Sequence, residues 1–376
     1  MKILKIDYRN IGLFSNGFSI DFTAVDRVVD DEHVFNVFNR IYTQNLIGII
    51  GINATGKSTA LKLIRMAMDI VLLNKGLNDI DIPKGIIVDG TILEVVYFHS
   101  DKIYKIESTI GTSLNQEFIF KSEVVSSKLK SSVGSKKALF DFSDAVLELN
   151  RDGLSGEGSS FLKDQDSIIT PFTKGNTTRL YDMIFDTNFN FLKINGSAHL
   201  ECINLFDDSI ESLTRNDKEI KVRFKSDDVA YESDSLIGSH SLLSSGTIKG
   251  VNLLDQAKRA LENGGYLVID EIENHMHKKL VQTIMNFFTD ESINKNGATM
   301  IFTTHYAEII DYINRKDNIY VLVRNNQHVS DIKRYSDLIS RNDIKKSEIY
   351  LSNYIDGTAP SYESIKRVRD YFVDRS

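Results

Sequence analysis

The feature that most constrains this chain is the loop Gly51–Ser58, which has the pattern G-x-x-x-x-G-K-S. The apolar run Asn45–Gly51 leads into it and is typical of a strand buried on both faces. The segment Ser58–Leu73 follows it, with apolar residues spaced as in a largely buried helix. This order predicts a phosphate-binding loop. Glycines let successive backbone N–H groups turn toward phosphate oxygens, and the helix N-terminus adds its positive dipole.

Each residue of this loop has an expected role toward a bound nucleotide. Lys57 is expected to bring positive charge to the β- and γ-phosphates, and Ser58 to offer its hydroxyl to Mg²⁺. ATP and Mg²⁺ are therefore the predicted ligands, and a chance glycine-rich turn is disfavoured because both flanks fit. The predicted ATP-binding residues are Gly51, Ile52, Asn53, Ala54, Thr55, Gly56, Lys57, Ser58 and Thr59.

An acidic pair, Asp270 and Glu271, directly follows the apolar run Tyr266–Ile269. That run predicts a buried strand, and the carboxyl ends of such strands line the ligand crevice of α/β sheets. Asp270 is expected to hold Mg²⁺, directly or through water. Glu271 is expected to be the catalytic base that polarises the water attacking the γ-phosphate. A strand that simply ends in an acidic turn is the alternative.

A histidine, His305, ends another apolar run that begins at Met300. At the end of a neighbouring strand it would lie beside the nucleotide and could hydrogen-bond the γ-phosphate or the attacking water as a switch. A structural histidine is the alternative, which its position after the two other motifs disfavours. Glu271, His305 and Lys57 are thus the predicted catalytic residues.

A small-residue motif, Ser244-Ser245-Gly246, stands 24 residues before Asp270 and opens the predicted helix Thr247–Asn263. Serine and glycine at a helix N-terminus form an anion cradle. The motif is too far along the predicted sheet to reach the phosphate of its own loop. Its simplest use is to bind, in trans, the γ-phosphate of ATP held by a second copy. An ordinary helix N-cap is the alternative.

The segments GINATGKST, LLSSGT, YLVIDEIENHMH and FTTH together resemble the ABC-type ATPase head shared by SMC, RecF and OLD-family proteins. They are most similar to the compact AAA-family ATPases of bacterial abortive-infection and antiphage systems. The resemblance covers residues 1–120 and 220–330. It implies a head that dimerises around two ATP molecules, with Gly51–Thr59 as Walker A and Ser244–Gly246 as signature. Asp270 and Glu271 would form Walker B, and His305 would be the switch histidine.

The expected fold is an α/β P-loop NTPase of the ABC-ATPase type, with a mixed, largely parallel sheet and an antiparallel N-terminal meander. Four parts are predicted: an N-terminal ATPase lobe 1–120, an inserted and mostly helical lobe 121–220, a C-terminal ATPase lobe 221–345 and a helical tail 346–376. Helices within the insert are predicted at Phe161–Ile169, Thr177–Asn188 and Ala198–Leu213.

Composition narrows the class and location of the protein. Its 45 basic and 52 acidic residues give a net charge of −7, which argues against a surface coated with positive charge but does not exclude a local basic groove. No apolar run approaches the roughly 18 residues of a membrane span, so no membrane partner is expected. The N-terminus lacks the apolar block of a signal peptide. A single cysteine, Cys202, indicates a reducing, cytoplasmic location.

Two functions remain open. The first is an ATP-hydrolysing, dimerising head, forming a dimer or higher oligomer, that senses or scaffolds a partner effector in antiphage defence. The effector would be encoded nearby, with a nuclease as one candidate. The second is a RecF-like DNA-binding ATPase of repair or recombination, in which Lys128, Lys130, Lys136 and Lys137 would contact the phosphodiester backbone. A solvated loop is the alternative for these lysines. Gln116 is the candidate for the Q-loop glutamine.

Overall fold

The computed structural model describes most of the chain, and the described part contains four sheets with the helices packed around them. The described residues are 1–14, 16–28, 33–154, 162–187, 191–234, 239–325, 329–340, 344–359 and 362–373. In chain order the strands are β1 Lys2–Ile11, β2 Phe18–Asp21, β3 Val34–Phe38, β4 Ile41–Gln44, β5 Leu46–Gly51, β6 Ile87–His99, β7 Lys102–Thr112, β8 Phe118–Leu129, β9 Val146–Asn150, β10 Leu180–Met183, β11 Gly196–Ser197, β12 Ile210–Arg215, β13 Glu219–Phe224, β14 Tyr231–Asp234, β15 Tyr266–Ile269, β16 Thr299–Thr304, β17 Ile319–Arg324 and β18 Ser330–Arg334. The helices are α1 Lys57–Leu73, α2 Lys136–Leu139, α3 Leu200–Asn204, α4 Ser239–Leu242, α5 Ser245–Asn263, α6 Lys278–Thr289, α7 Ala307–Ile310, α8 Tyr335–Leu338, α9 Lys346–Leu351 and α10 Tyr362–Val373.

The central sheet has the strand order β10-β15-β16-β5-β17-β18. Its first five strands run parallel, and β18 pairs antiparallel with β17 at the edge. Strands β5, β15 and β16 are buried along their whole length. Burial on both faces explains why their sequences are unbroken apolar runs rather than alternating ones. The predicted largely parallel α/β sheet is confirmed.

Alternate residues of β5 belong to two hydrophobic cores on opposite faces of this sheet. Ile47 and Ile49 pack with helix α1 and with strand β1 of the meander. Leu46 and Ile50 pack on the other face, with α5 and α6. Helix α1 is buried on nearly all sides because it lies between the central sheet and the meander. The sheet is therefore covered on both faces, and its carboxyl edge is where the chain turns into loops.

The N-terminal meander is an antiparallel sheet with the order β2-β1-β6-β7-β8-β9. Strand β6 pairs with β1 on one side and with β7 on the other. Alternating burial along β7 and β8 shows that one face is packed and the other reaches solvent. The predicted antiparallel meander is confirmed.

The expectation of a mostly helical insert over residues 121–220 is wrong. Strand β8 crosses the predicted boundary at residue 120, and β10 joins the central sheet beside β15. The last part of the insert belongs to the four-stranded sheet β11-β12-β13-β14, which continues past residue 220. Of the three predicted helices, the described part of 161–169 has no α-helix, 177–188 contains β10, and 198–213 contains only the five-residue α3 before β12. The strands in this region are short, and their apolar and polar residues alternate only weakly. Their sequence pattern is therefore easily mistaken for that of a helix.

The last helix among the described residues is α10, which lies within the predicted helical tail 346–376. Its apolar side chains Ile365, Val368 and Phe372 are exposed. Among the described residues, no helix has both the length and the apolar character needed to cross a bilayer.

Candidate functional site

The loop between β5 and α1 has a backbone that two glycines make possible. Helix α1 starts at Lys57, immediately after Gly56, whose φ is +97°. A Cβ at Gly56 would also lie 2.8 Å from Leu13 Cδ2. At Gly51 a Cβ would lie 2.5 Å from Thr55 Oγ1 and 2.9 Å from the Leu322 carbonyl oxygen. Both positions therefore exclude larger residues, as a loop that wraps around phosphate requires.

Lys57 points back into this loop. Its Nζ donates to the carbonyl oxygens of Gly51 at 2.8 Å and Ile52 at 3.2 Å. The side chain is buried, and burial lowers the pKa of Lys57, with the nearby carboxylates Asp270 and Glu271 opposing that shift. A cationic group held by the carbonyls of its own loop can exchange them for phosphate oxygens, so the loop fits a nucleotide.

Ser58 and Asp270 meet at the carboxyl edge of the central sheet. Ser58 Oγ donates to Asp270 Oδ2 at 2.6 Å, and Thr303 Oγ1 donates to Asp270 Oδ1 at 2.5 Å. Asp270 is buried. A hydroxyl beside a carboxylate is an oxygen-only donor set, the kind that Mg²⁺ accepts alongside phosphate oxygens. The residues present therefore fit the expected metal.

Glu271 has a strained backbone that two side chains hold in place. Its φ is +49°, in the left-handed region, which costs on the order of 1–3 kcal/mol in a residue with a Cβ. Its N–H donates to Thr303 Oγ1 at 2.8 Å, and its carbonyl oxygen accepts from Lys249 Nζ at 3.0 Å. Lys249 is 3% exposed, and burial lowers its pKa to about 8. These contacts determine where the Glu271 carboxylate projects.

His305 links the loop lysine to the acidic pair. Its Nδ1 lies 3.2 Å from Lys57 Nζ, and its Nε2 lies 3.1 Å from Glu271 Oε1. Since an ammonium only donates, Nδ1 accepts, and Nε2 therefore carries the proton donated to Glu271. The backbone N–H of His305 donates to Glu273 Oε1 at 2.7 Å. Lys57, His305 and Glu271 thus form one continuous hydrogen-bonded chain.

The small-residue motif lies at the start of α5. Ser244 is the N-cap: its Oγ accepts from the Thr247 N–H at 3.1 Å and lies 2.8 Å from Thr247 Oγ1. A Cβ at Gly246 would lie 2.7 Å from the His275 carbonyl oxygen, so this glycine permits close packing on the segment that follows Glu271. The hydrogen bonds of Ser244 stay within the first turn of its own helix.

One comparison with known families bears on this geometry. The family described as "AAA domain, putative AbiEii toxin, Type IV TA system" matches residues 46–311, more than two thirds of the chain. The chain belongs to this family. No curated protein matches it. The matched range runs from the first residue of β5 to just beyond α7, and so includes all the motifs above. The predicted likeness to compact AAA-family ATPases of the abortive-infection type is confirmed.

The predicted Q-loop glutamine and the lysines considered for DNA contact lie outside the nucleotide site of this AAA-family protein. Gln116 occupies an exposed turn between β7 and β8, in the meander. Lys128 donates to the carbonyl of Ala138, Lys130 pairs with Asp101, and Lys136 donates to the carbonyl of Val25. Three of the four lysines considered for DNA contact therefore also contact groups of their own chain.

Sequence reasoning missed three residues of the site in this AAA-family chain: Thr303, Lys249 and Glu273. Thr303 lies in the FTTH segment, where a threonine one position inside a buried strand end could have been noticed. Glu273 is a buried acid just after Glu271. Lys249 is a lysine among the buried residues of α5, and a charged residue at such a position is unusual unless it has a partner.

Proposed function

We propose that this chain is an ATP-hydrolysing head that dimerises around two ATP molecules and controls a partner effector in an abortive-infection or toxin–antitoxin system. One observation carries the proposal: His305 joins Lys57 of the phosphate-binding loop to Glu271 of the acidic pair. Family membership supports the link to defence, since the family description names a type IV toxin–antitoxin system.

ATP would be bound by the loop's backbone N–H groups and by Lys57. Lys57 would give up the carbonyls of Gly51 and Ile52 for the β- and γ-phosphates, while the two glycines keep the loop open to the phosphate chain. Ser58 and Asp270 would hold Mg²⁺. Magnesium, when bound, neutralises charge on the phosphate oxygens.

Hydrolysis would depend on the fixed position of Glu271. Thr303 and Lys249 hold its backbone, and His305 donates to one carboxylate oxygen, which leaves the other oxygen to accept a proton from water. When Lys57 turns to the phosphates, Nδ1 of His305 loses its donor. His305 is then able to respond to the presence of the γ-phosphate, in keeping with a switch role.

Dimerisation would complete each site. The N-terminal turn of the 19-residue α5 carries Ser244 and Gly246 and the positive end of a helix dipole. Offered to a second copy, this turn would bind the γ-phosphate there, and hydrolysis would release the contact. ATP-dependent closure would in turn signal to the effector.

The test is Glu271→Gln, with Glu262→Gln on the exposed side of α5 as the matched control. We expect the first variant to bind ATP, lose turnover and accumulate as an ATP-bound dimer, and the control to behave as wild type. Phosphate release and light scattering after size-exclusion chromatography measure these effects. Normal turnover in Glu271→Gln would overturn the assigned base, and a monomer with ATP bound would overturn the dimer.

A further inference from the structure

Helix α10 has an apolar face that no described part of the chain covers, and none of its 12 residues is buried. Six large side chains of the helix are between 51% and 79% exposed: Tyr362, Ile365, Val368, Tyr371, Phe372 and Val373. At 3.6 residues per turn these six share one side of the helix. A helix this short is only marginally stable in water unless its apolar face packs against another surface. The face therefore indicates a contact with another surface.

Helix α10 leaves the fold at the carboxyl edge of the central sheet. Ala359, three positions before the helix, donates its N–H to Asn353 Oδ1 at 3.2 Å. A Cβ at Gly357 would lie 3.4 Å from the carbonyl oxygen of Arg324, the last residue of β17. The Arg324 guanidinium donates to the Ala54 carbonyl of the phosphate-binding loop at 3.3 Å. The start of α10 is therefore held near the edge where the nucleotide site lies.

An apolar groove lies at the opposite, amino edge of this sheet. It has a volume of about 630 Å³ and lies between α3, the second half of α5, α6 and the turn before β16. Its walls include Cys202, Leu261, Phe287 and Ile293, and every residue that lines it belongs to the described part of the chain. The amide of Asn296 donates to the Leu261 carbonyl at 3.2 Å and closes one end. The groove is open, and Ile293 is 43% exposed.

The helix and the groove do not meet within one copy of the chain. Strand β17, where α10 leaves, lies three strand spacings from β15, which starts beside the groove. Three spacings are about 14 Å, and the length of a six-residue strand adds roughly 17–20 Å in the perpendicular direction. The two places are thus more than about 20 Å apart, and the apolar face of α10 is exposed. The groove is therefore free to receive the α10 of a second copy.

The two surfaces are complementary in chemistry. An amphipathic helix that lays its apolar face in a groove is a recurrent mode of protein recognition, with anchors three, four and seven positions apart. Ile365, Val368 and Phe372 have this spacing. Arg369, four positions after Ile365, lies at the edge of the apolar face, and Glu201 lies in the wall of the groove. An ion pair between these two side chains would favour one orientation of the helix.

The contact area is sufficient for a specific interface. An aromatic side chain buries about 150–250 Å² when it is fully packed, so each of the six exposed side chains can contribute roughly 100 Å². The helix then buries roughly 500–600 Å², and the groove a similar area. The total of roughly 1,000–1,200 Å² reaches the lower limit for specific protein interfaces.

We propose that α10 of one copy docks in this groove on a second copy. The contact is heterologous, because each copy gives its helix to one neighbour and its groove to another. Repeated contacts of this kind build rings or open chains. The contact uses neither the phosphate-binding loop nor the N-terminal turn of α5, so its test needs no nucleotide and does not depend on the proposed ATP-bound dimer.

The chain's single cysteine, Cys202, makes the contact directly testable because it lines the groove. In the nucleotide-free full chain, Val368→Cys places a second thiol on the apolar face of α10, and Lys366→Cys places one on the charged face as the matched control. We expect a short bismaleimide cross-linker to join only the Val368→Cys chains into covalent dimers and larger species, and Cys202→Ala to abolish this product. Cross-links that persist without Cys202 would indicate pairing of two α10 helices and overturn the proposal, as would cross-links confined to single chains.

A mixing experiment tests the heterologous geometry. Phe372→Asp changes the helix and Ile293→Glu the groove, and since both residues are exposed, each variant should keep the wild-type melting temperature. In ultracentrifugation without nucleotide, wild type should form concentration-dependent oligomers and each variant should remain a monomer. An equimolar mixture should give a heterodimer of twice the 42.6 kDa chain mass, since one intact helix meets one intact groove.

A monomeric wild type, or no heterodimer on mixing, would overturn the proposal. Binding of wild type to anionic phospholipid vesicles that Phe372→Asp loses would assign the helix to a lipid surface, and would overturn it as well.

Discussion

The buried lysine Lys249 offers a sharp test of how the site is positioned. It lies on α5 and donates a hydrogen bond to the Glu271 carbonyl at 3.0 Å, and its charge is close enough to interact with the carboxylates of Glu273 and Glu271. Lys249→Met keeps the length and apolar stem of the side chain and removes the ammonium. Glu271 then loses one of the two contacts that hold its φ at +49°.

The expected size of the effect follows from this contact. A hydrogen bond from a charged donor contributes about 1.5–3 kcal/mol. If that energy holds Glu271 in its hydrolytic position, its loss lowers kcat by roughly 10- to 150-fold, since about 1.4 kcal/mol corresponds to a factor of ten. ATP affinity should change little, because Lys57 and the loop glycines are untouched. Lys249 is therefore expected to act as a positioning residue.

The assay is steady-state phosphate release across ATP concentrations, with a fluorescent ATP analogue to measure binding. Lys258→Met is the matched control, since Lys258 lies on the same helix but is exposed and paired with Glu262. A lower kcat with unchanged analogue affinity in Lys249→Met alone is the expected result. Unchanged kcat, or an equal loss of binding and turnover, would refute the reasoning.

Three further predictions concern the same site. Gly56→Ala should abolish ATP-analogue binding, because φ is +97° and the new Cβ would meet Leu13; retained binding would contradict this. Thr303→Val should raise the Mg²⁺ concentration for half-maximal turnover, since Asp270 loses a donor at 2.5 Å; an unchanged Mg²⁺ titration would argue against it. The free energy of unfolding should rise with pH between about 8 and 10.5, because Lys249 is then neutral when folded but still protonated when unfolded. Urea titrations should show a flatter pH dependence for Lys249→Met, and identical slopes would contradict the assigned pKa.

Much of the nucleotide site could be predicted because its signals are local. An apolar strand ending in glycine and a helix beginning at the loop lysine are adjacent in sequence, and the predicted helix 58–73 differs from α1 by one residue. The acidic pair and His305 each end a buried strand, and parallel neighbours bring such ends to one edge of the sheet. The order of the motifs was therefore enough to place Asp270 beside Ser58.

The other features of the fold and of the site depend on tertiary contacts, which a local sequence pattern does not reveal. The four-residue β10 has no periodicity of its own, and only pairing with β15 makes it a strand. In β12 the alternation of apolar and polar residues extends over too few residues to be distinguished from the end of a helix. Lys249 acquires its role through a hydrogen bond to the carbonyl of Glu271, 22 positions away in the sequence.

The most direct test of the central proposal, an ATP held between two copies, is subunit complementation. Ser244→Arg removes the donated helix tip, and Glu271→Gln removes the base, so each variant alone should be inactive. Mixed in equal amounts before ATP is added, at most half of the dimers contain one complete composite site, and turnover should return to at most about a quarter of the wild-type rate. No recovery on mixing, or normal turnover in Ser244→Arg alone, would contradict the account.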